Sequence, residues 1–229
     1  MKRIFSLVLF SILFFSSYAS DKVTMKLDAD FVSAYIWRGL ELAKFSVQPS
    51  LTLGYKGFSL KGWGSVGTKS SDIQEFDFGL SYQNERWSAG ITDYYSKGNH
   101  GFFHFNAHHT NHVLGADVSY NFGIFSLAWF TNIAGNDGVD NNGNRAYSSY
   151  LSLSVPFRIA GLKCESSIGA TPWATNYYNN GANGFEVTDI TLVVHKIVKI
   201  SDDYFLPVYG KLMVNPSTED QFFAFGIKI

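Results

Sequence analysis

The chain has 229 residues, with 18 lysines and arginines against 19 aspartates and glutamates and a formal net charge of −1 at pH 7. Nucleic acid is therefore not an expected partner, because its phosphates are bound by an excess of basic residues. Charged residues make up 16% of the chain, well below the roughly 25% of ordinary soluble domains. The single cysteine, Cys164, cannot form a disulfide within the chain, so the fold must be held closed in some other way.

Residues 1–19 have the pattern of a cleaved signal peptide. Two basic residues, Lys2 and Arg3, precede an apolar run, which ends at a small-x-small pattern in Ser17-Tyr18-Ala19. Residues 20–229 are then one exported domain, in which no stretch reaches the 18 or more apolar residues of a helical membrane span. An exported chain that is rich in aromatics and poor in charge, without helical spans, indicates a membrane β-barrel.

Alternation of apolar and polar residues begins at the start of this domain. Met25 and Leu27 share one face of an extended chain, while Lys26 and Asp28 share the other. The same pattern recurs along the chain and predicts an all-β fold, a transmembrane antiparallel β-barrel of about twelve strands. The predicted strands are 23–37, 46–56, 58–67, 74–83, 87–96, 112–121, 124–133, 146–156, 162–172, 185–196, 204–214 and 221–229.

The predicted connections alternate in length, as in outer-membrane barrels, where short periplasmic turns alternate with longer external loops. The short turns lie near Gly57 and at 83–86, 121–123 and 157–161. The longer loops lie at 38–45, 97–111, 134–145 and 173–184, with shorter ones at 68–73 and 215–220. Both ends of the domain are therefore expected on the periplasmic side.

Aromatic residues stand near many predicted strand ends, where membrane barrels carry their interfacial girdles. Core aromatics of a soluble β-sandwich would give a similar pattern, and this alternative stays open from the sequence. The aromatics are Tyr35, Trp37, Tyr55, Phe58, Tyr82, Trp87, Tyr94, Tyr95, Tyr120, Phe157 and Trp173.

If the apolar face meets lipid, the charged face lines a wet interior. These charges either border a path for solutes or pair with one another to brace the wall. Twelve strands predict a narrow lumen, since general porins have sixteen to eighteen. The candidate lumen-lining residues are Lys26, Asp28, Asp30, Lys61, Glu75, Asp77, Asp117, Lys163, Glu165, Asp189 and Lys211, with Lys228 on the same face.

Arg38 follows the first predicted strand, next to Gly39, and is the candidate residue for the external mouth of the pore. Its guanidinium group could orient an anionic solute through paired hydrogen bonds. A structural pair with a carboxylate of the wall is the favoured alternative, because an arginine in a membrane wall needs a partner.

Residues 100–112, HGFFHFNAHHTNH, contain five of the six histidines in the chain. Zinc or another divalent metal at this loop is one interpretation, with His104, His108, His109 and His112 as candidate ligands. An exposed, partly charged loop that responds to acidity is the default. Protease chemistry is not supported, because His109 stands where the HExxH pattern requires its glutamate.

A resemblance to a known family rests on two stretches. Ser33-Ala34-Tyr35-Ile36-Trp37-Arg38-Gly39, Gln48-Pro49-Ser50-Leu51 and Gly62-Trp63-Gly64-Ser65 resemble the opening of the TorF-type porins. Leu206-Pro207-Val208-Tyr209-Gly210 with Asn215-Pro216 is similar to relatives in that group. The resemblance covers both ends of the barrel and leaves the middle unmatched. It implies an outer-membrane β-barrel and no catalytic residues.

The expected function is therefore a narrow channel of the bacterial outer membrane for the passive passage of small solutes, without enzymatic activity or a cofactor. Its expected partners are outer-membrane lipid and lipopolysaccharide, the barrel assembly machinery and the solutes. A barrel enzyme that hydrolyses lipid is one alternative, although no spacing singles out a Ser-His-acid set. A structural or adhesive barrel is another.

Overall fold

The computed structural model describes residues 22–107, 109–178 and 184–229, so the predicted signal peptide lies outside the described residues. No helix in these ranges is long and apolar enough to cross a membrane. The described chain forms fourteen strands. They are β1 (Thr24–Val32), β2 (Tyr35–Trp37), β3 (Leu40–Ala43), β4 (Ser46–Tyr55), β5 (Phe58–Gly67), β6 (Glu75–Gln83), β7 (Trp87–Ser96), β8 (His112–Asn121), β9 (Ser126–Gly135), β10 (Ser149–Ile159), β11 (Leu162–Thr171), β12 (Glu186–Lys199), β13 (Phe205–Asn215) and β14 (Asp220–Lys228).

Twelve of these strands, β1 and β4 to β14, form a closed antiparallel barrel, which confirms the predicted fold class and strand number. Each barrel strand pairs with the next one along the chain, and β1 closes the ring by pairing with β14. The β1–β4 ladder has nine residue pairs, from Thr24–Gly54 to Val32–Ser46. The β1–β14 ladder has three, extended by mutual backbone hydrogen bonds of 2.9 Å between Ala29 and Ile229.

The two faces of the wall differ as the alternation predicts. On β6, the side chains of Phe78 and Leu80 are 49% and 45% exposed on the outer face, whereas Asp77 is buried on the inner face. Since paired residues of neighbouring strands point to the same side, the pairing of Leu80 with Ile91 continues the apolar outer face onto β7. Closure leaves no free sheet edge, so the backbone groups of the wall are satisfied without a disulfide.

The two ends of the barrel also differ. At one end, here called the turn end, the strands are joined by tight turns such as Lys56-Gly57 and Ala160-Gly161, whose residues have φ values of 48° and 86°, and 49° and 80°. Two successive left-handed residues make the type I′ turn that suits a twisted hairpin. The opposite end, the loop end, carries the long connections at 97–111, 136–148 and 172–185.

The first predicted strand differs from the structure. It was expected to run from residue 23 to 37, but β1 ends at Val32, and β2 and β3 then form a separate two-stranded sheet. The turn between them is Arg38-Gly39, with φ values of 47° and 88°, again the type I′ geometry. The connection predicted as an external loop at 38–45 therefore folds as part of a hairpin, called the inner hairpin (residues 35–43), because it lies inside the barrel.

Candidate pore constriction

The inner hairpin lies across the lumen and contacts inward-facing side chains on several sides of the wall. At one side, Tyr35 packs edge-on against Trp63 of β5, with ring centroids 5.4 Å apart. Its hydroxyl group donates a hydrogen bond of 3.1 Å to Glu75 of β6. Asp77 follows Glu75 on the same inner face. Two predicted lumen residues therefore border this side of the hairpin.

The tip of the hairpin carries Arg38, which reaches the opposite part of the wall. The central carbon of its guanidinium group lies 4.1 Å from the ring centroid of Phe130 on β9 and 4.5 Å from those of Tyr150 on β10 and of Trp37. Its Nη1 donates a 2.7 Å hydrogen bond to the hydroxyl of Tyr178. Aromatic faces stabilise a guanidinium through their π electrons.

The structure places Arg38 inside the loop-end half of the barrel, and its role at the external mouth of the pore stays a prediction. A type I′ turn bends the chain back after Trp37, so the side chain is carried into the barrel instead of towards solvent. Among the described residues, no carboxylate forms an ion pair with Arg38. Asp117 and Asp189 lie within electrostatic range of its charge.

Two polar side chains of β13 hold the backbone of the hairpin. Lys211 donates a hydrogen bond of 3.2 Å to the carbonyl oxygen of Ile36, and Asn215 donates one of 3.1 Å to the carbonyl oxygen of Gly39. The turn is pressed closely against β12, because a Cβ added to Gly39 would lie 2.2 Å from the carbonyl oxygen of Thr188. Only glycine fits both the φ value and this contact.

The connection between β11 and β12 also enters the lumen. Tyr178 is 1% exposed, and its ring lies 5.8 Å from those of Trp37 and Tyr150. Tyr177 also contacts Trp37, with ring centroids 6.2 Å apart. This segment and the hairpin together form a cluster of aromatic rings inside the barrel.

Sequence inspection missed several residues of this cluster. Phe130, Tyr150, Tyr177 and Tyr178 were not candidates, and Tyr35, Trp37 and Tyr94 were assigned to interfacial girdles. Tyr94 points inward instead, with its ring 6.4 Å from that of Trp37. The signal that could have found the hairpin is the Arg-Gly pair between two apolar segments, which fits a two-residue hairpin turn.

The remaining predicted lumen residues also lie on the inner face. Near the turn end, Lys26 pairs with Asp28 at 2.8 Å and Lys228 lies 3.9 Å from Asp30. Lys61 is on the same row as Lys26, through Thr52. The other members of this set are Asp117, aligned with Phe130; Lys163, aligned with His195; Glu165 and Lys211, both aligned with Val193; and Asp189, which accepts a hydrogen bond of 2.7 Å from Tyr150. Their roles in solute passage stay predictions.

The candidate metal ligands are dispersed in the described loop. His112 is buried at the start of β8, with Nδ1 2.9 Å from Asp93 Oδ2 and Nε2 2.6 Å from the carbonyl oxygen of Phe102. His104 stacks on His100 with centroids 4.4 Å apart, and His109 is exposed. His108 lies outside the described residues. In the described ranges, no group of three or more metal-binding side chains comes together, and zinc at this loop stays a prediction.

The acidic loop between β9 and β10 uses its carboxylates for its own turns. Asp140 accepts hydrogen bonds of 2.8 Å from the backbone N–H groups of Asn144 and Asn142. The bond from Asn144 is the main reason why the pKa of Asp140 lies below its ordinary value. Asp137 is buried 2.9 Å from Arg145. The loop is thus organised by its own side chains.

Comparisons with known proteins give structural matches only. No family model matches the sequence, and no curated protein matches it. The chain is similar to the structure of a KdgM porin, with a TM-score of 0.44 and 12% identity over 90% of this chain and 98% of that one. It is also similar to OprD and to OccK9 (OpdG) of Pseudomonas aeruginosa, each with a TM-score of 0.36 and 13% identity. These two matches cover 90% and 86% of this chain but 66% and 56% of the longer porins. The resemblance to the TorF-type porins stays a prediction.

Proposed function

We propose that this chain is a barrel of the bacterial outer membrane that passes small solutes through a narrow channel, with the inner hairpin as its constriction. One observation carries the proposal: a closed barrel with an apolar outer face and a charged inner face holds a folded hairpin across its lumen. A hairpin in the lumen reduces the open cross-section of a twelve-strand barrel, which is already smaller than that of a general porin.

The turn end is the periplasmic end in this proposal, and the loop end is external, as in outer-membrane barrels generally. The partners that follow are the surrounding lipid and lipopolysaccharide, the barrel assembly machinery and the solutes. The apolar outer face, which includes Leu27, Phe78, Leu80 and Ile91, supports contact with hydrocarbon. Aromatic side chains exposed at the turn end, such as Trp87 and Tyr120, suit the interface with water.

Charged groups of both signs stand at the constriction. The guanidinium of Arg38 stacks on aromatic rings and Lys211 is bonded to the hairpin backbone, and neither contact removes the positive charge. Glu75, Asp77 and Asp189 stand on the wall around the hairpin. The constriction therefore offers both basic and acidic side chains to a polar solute.

Planar-bilayer recording tests the proposal. The purified barrel should insert and give stepwise conductance. A variant in which residues 34–44 are replaced by a short Gly-Ser linker should conduct more than the unmodified chain. If neither protein conducts ions after its insertion has been verified, the proposed channel is excluded.

Lipid hydrolysis, the alternative from the sequence, gains no support from the described residues. The pair most like a catalytic dyad is His112 with Asp93, which lies on the outer face of the wall. The second ring nitrogen of His112, Nε2, is hydrogen-bonded to the carbonyl oxygen of Phe102 and not to a hydroxyl group. A general base needs a nucleophile within hydrogen-bond reach at this nitrogen.

A further inference from the structure

The connection between β7 and β8 (residues 97–111), here called the outer loop, folds against the outside of the barrel. The three residues beneath it form one row across neighbouring strands, since Phe76 pairs with Tyr95 and Tyr95 pairs with His112. The row continues the side of the sheet that carries Phe78 and Ile91, both exposed on the outer face. Side chains in one row of a sheet point to the same side.

Phe102 anchors the outer loop on this row. Its ring lies 5.5 Å from that of Phe76, 5.0 Å from that of Tyr95 and 5.2 Å from that of His112. The hydroxyl of Tyr95 donates a hydrogen bond of 3.1 Å to the carbonyl oxygen of His100. Aromatic packing and backbone acceptors therefore fix the loop beside the wall and not above the lumen.

The loop also covers a charged pair on the apolar side of the sheet. Asp93 is in register with Phe78 and Leu114, so its carboxylate is directed outward. His112 pairs with this carboxylate, and the carbonyl oxygen of Phe102 binds the remaining ring nitrogen. An ionisable side chain on a lipid-facing wall is costly unless it is paired and shielded; β8 supplies the partner, His112, and the loop supplies the cover.

Two phenylalanines of the loop leave most of their side chains uncovered. Phe105 packs one side of its ring on His112, with centroids 4.4 Å apart, and Phe103 contacts Phe102 within the loop at 5.3 Å. The side chain of Phe103 is 88% exposed and that of Phe105 is 63% exposed, more than Phe78 of the outer wall. They extend the apolar outer face beyond the ends of β6 and β7. Large aromatic side chains at this level of a barrel are typical of the boundary between hydrocarbon and water.

We propose that Phe103 and Phe105 insert into the external leaflet, where their partner is the acyl-chain region of membrane lipid next to the outer face of β6 to β8. The inference rests on the proposed location of the barrel in a membrane. Continuity with the apolar wall identifies the occupant, because the same hydrocarbon that covers Phe78 reaches the surface from which both rings project. The outer loop is then a lipid-facing anchor and not a cover of the pore mouth.

A site-specific fluorophore tests this contact. In the full chain, with the buried Cys164 replaced by serine, an environment-sensitive NBD label is attached to Phe103→Cys and the barrel is reconstituted into phosphatidylcholine vesicles. Phe78→Cys on the outer wall is the positive control, and Asn142→Cys on the exposed β9–β10 loop is the aqueous control. Nitroxide groups on the lipid acyl chains should quench the label at 103 to the same degree as at 78 and leave 142 unchanged.

The possible outcomes separate failure of the lipid contact at the outer loop from failure of the membrane location of the whole barrel. A label at 103 that is quenched by aqueous iodide and not by lipid nitroxides, while the label at 78 responds to lipid, overturns the anchor and leaves the barrel intact. A label at 78 that fails to respond to lipid overturns the membrane location itself. Self-quenching at 103 that rises with the protein-to-lipid ratio assigns the surface to a second copy and also overturns the lipid contact.

Discussion

Removal of the Arg38 side chain is expected to release the inner hairpin. In Arg38→Ala, the contacts of the guanidinium group with Phe130 and Tyr150, at 4.1 and 4.5 Å, are lost together with the hydrogen bond to Tyr178. Each ring contact contributes about 0.5–1 kcal/mol, and the hydrogen bond contributes about 1 kcal/mol. The docked hairpin should therefore lose about 2–3 kcal/mol relative to the released one, since alanine retains the same backbone strain at this turn.

A loss of about 2–3 kcal/mol raises the population of the released hairpin by roughly 30- to 150-fold, because every 1.4 kcal/mol is tenfold. Single-channel recording should then show a larger conductance step or frequent transitions to one. Arg38→Lys should give an intermediate result, since a lysine keeps the charge but not the planar stacking surface. The matched control is Arg86→Ala, which removes an exposed turn-end arginine that donates to Tyr120 at 3.5 Å.

One experimental result would exclude this role of Arg38. If Arg38→Ala migrates and melts as the unmodified barrel does and its conductance and noise are also unchanged, the contacts around the guanidinium do not hold the constriction. A change of equal size in Arg86→Ala would point to a general effect of lost charge and would refute the local explanation as well.

Two further predictions concern close packing and the outer wall. Gly39→Ala should open the constriction, because its Cβ would lie 2.2 Å from the carbonyl oxygen of Thr188, whereas Gly143→Ala, also at a positive φ but with open space around it, should leave conductance unchanged. Equal conductance in the two variants would contradict the fit of the hairpin against the wall. His112→Ala should lower stability by about 2–3 kcal/mol, towards the low end for a broken ion pair because Asp93 is partly exposed. The measurement is the temperature at which the heat-modifiable band shifts on a gel, and replacement of both His112 and Asp93 by leucine should restore it; failure to restore it would show that the pair is not the cause.

The wall of the barrel could be predicted from the sequence, because period-two alternation is a local signal. The predicted strand at 58–67 coincides with β5, and the one at 87–96 coincides with β7. Both strands have one lipid-like face and one polar face, so pattern and burial agree. The order of the strands also follows, since consecutive strands of an antiparallel barrel pair as neighbours.

The constriction could not be predicted in the same way. Tyr35-Ile36-Trp37 continues the apolar and aromatic character of β1, and alternation alone does not show that the chain leaves the wall after Val32. The partners of Arg38 come from strands far along the chain, and Phe130 and Tyr150 look like ordinary strand aromatics. The cluster forms only when closure of the barrel brings these strands around the hairpin, so no local sequence pattern marks it.

In the histidine-rich loop, the sequence pattern does mark the position of His112, but it indicates an ion pair on the outer face and not a metal site. His112 alternates with Leu114 and Val118, which places it on the outer face by parity alone. Its partner Asp93 alternates with Ile91 in the same way. An acid and a histidine on the apolar faces of adjacent predicted strands indicate a shielded pair, and composition had drawn attention to metal binding instead.

The unequal ladders on the two sides of β1 have a consequence for how the cylinder is completed and loosened. Nine pairs join β1 to β4, whereas three pairs and the Ala29–Ile229 bonds join it to β14. Separating β1 from β14 therefore breaks the fewest backbone hydrogen bonds of the two, each of which is costly to leave unmade in hydrocarbon. Opening of the wall should therefore need the least disruption of backbone pairing at this joint, compared with the β1–β4 joint on the other side of the strand.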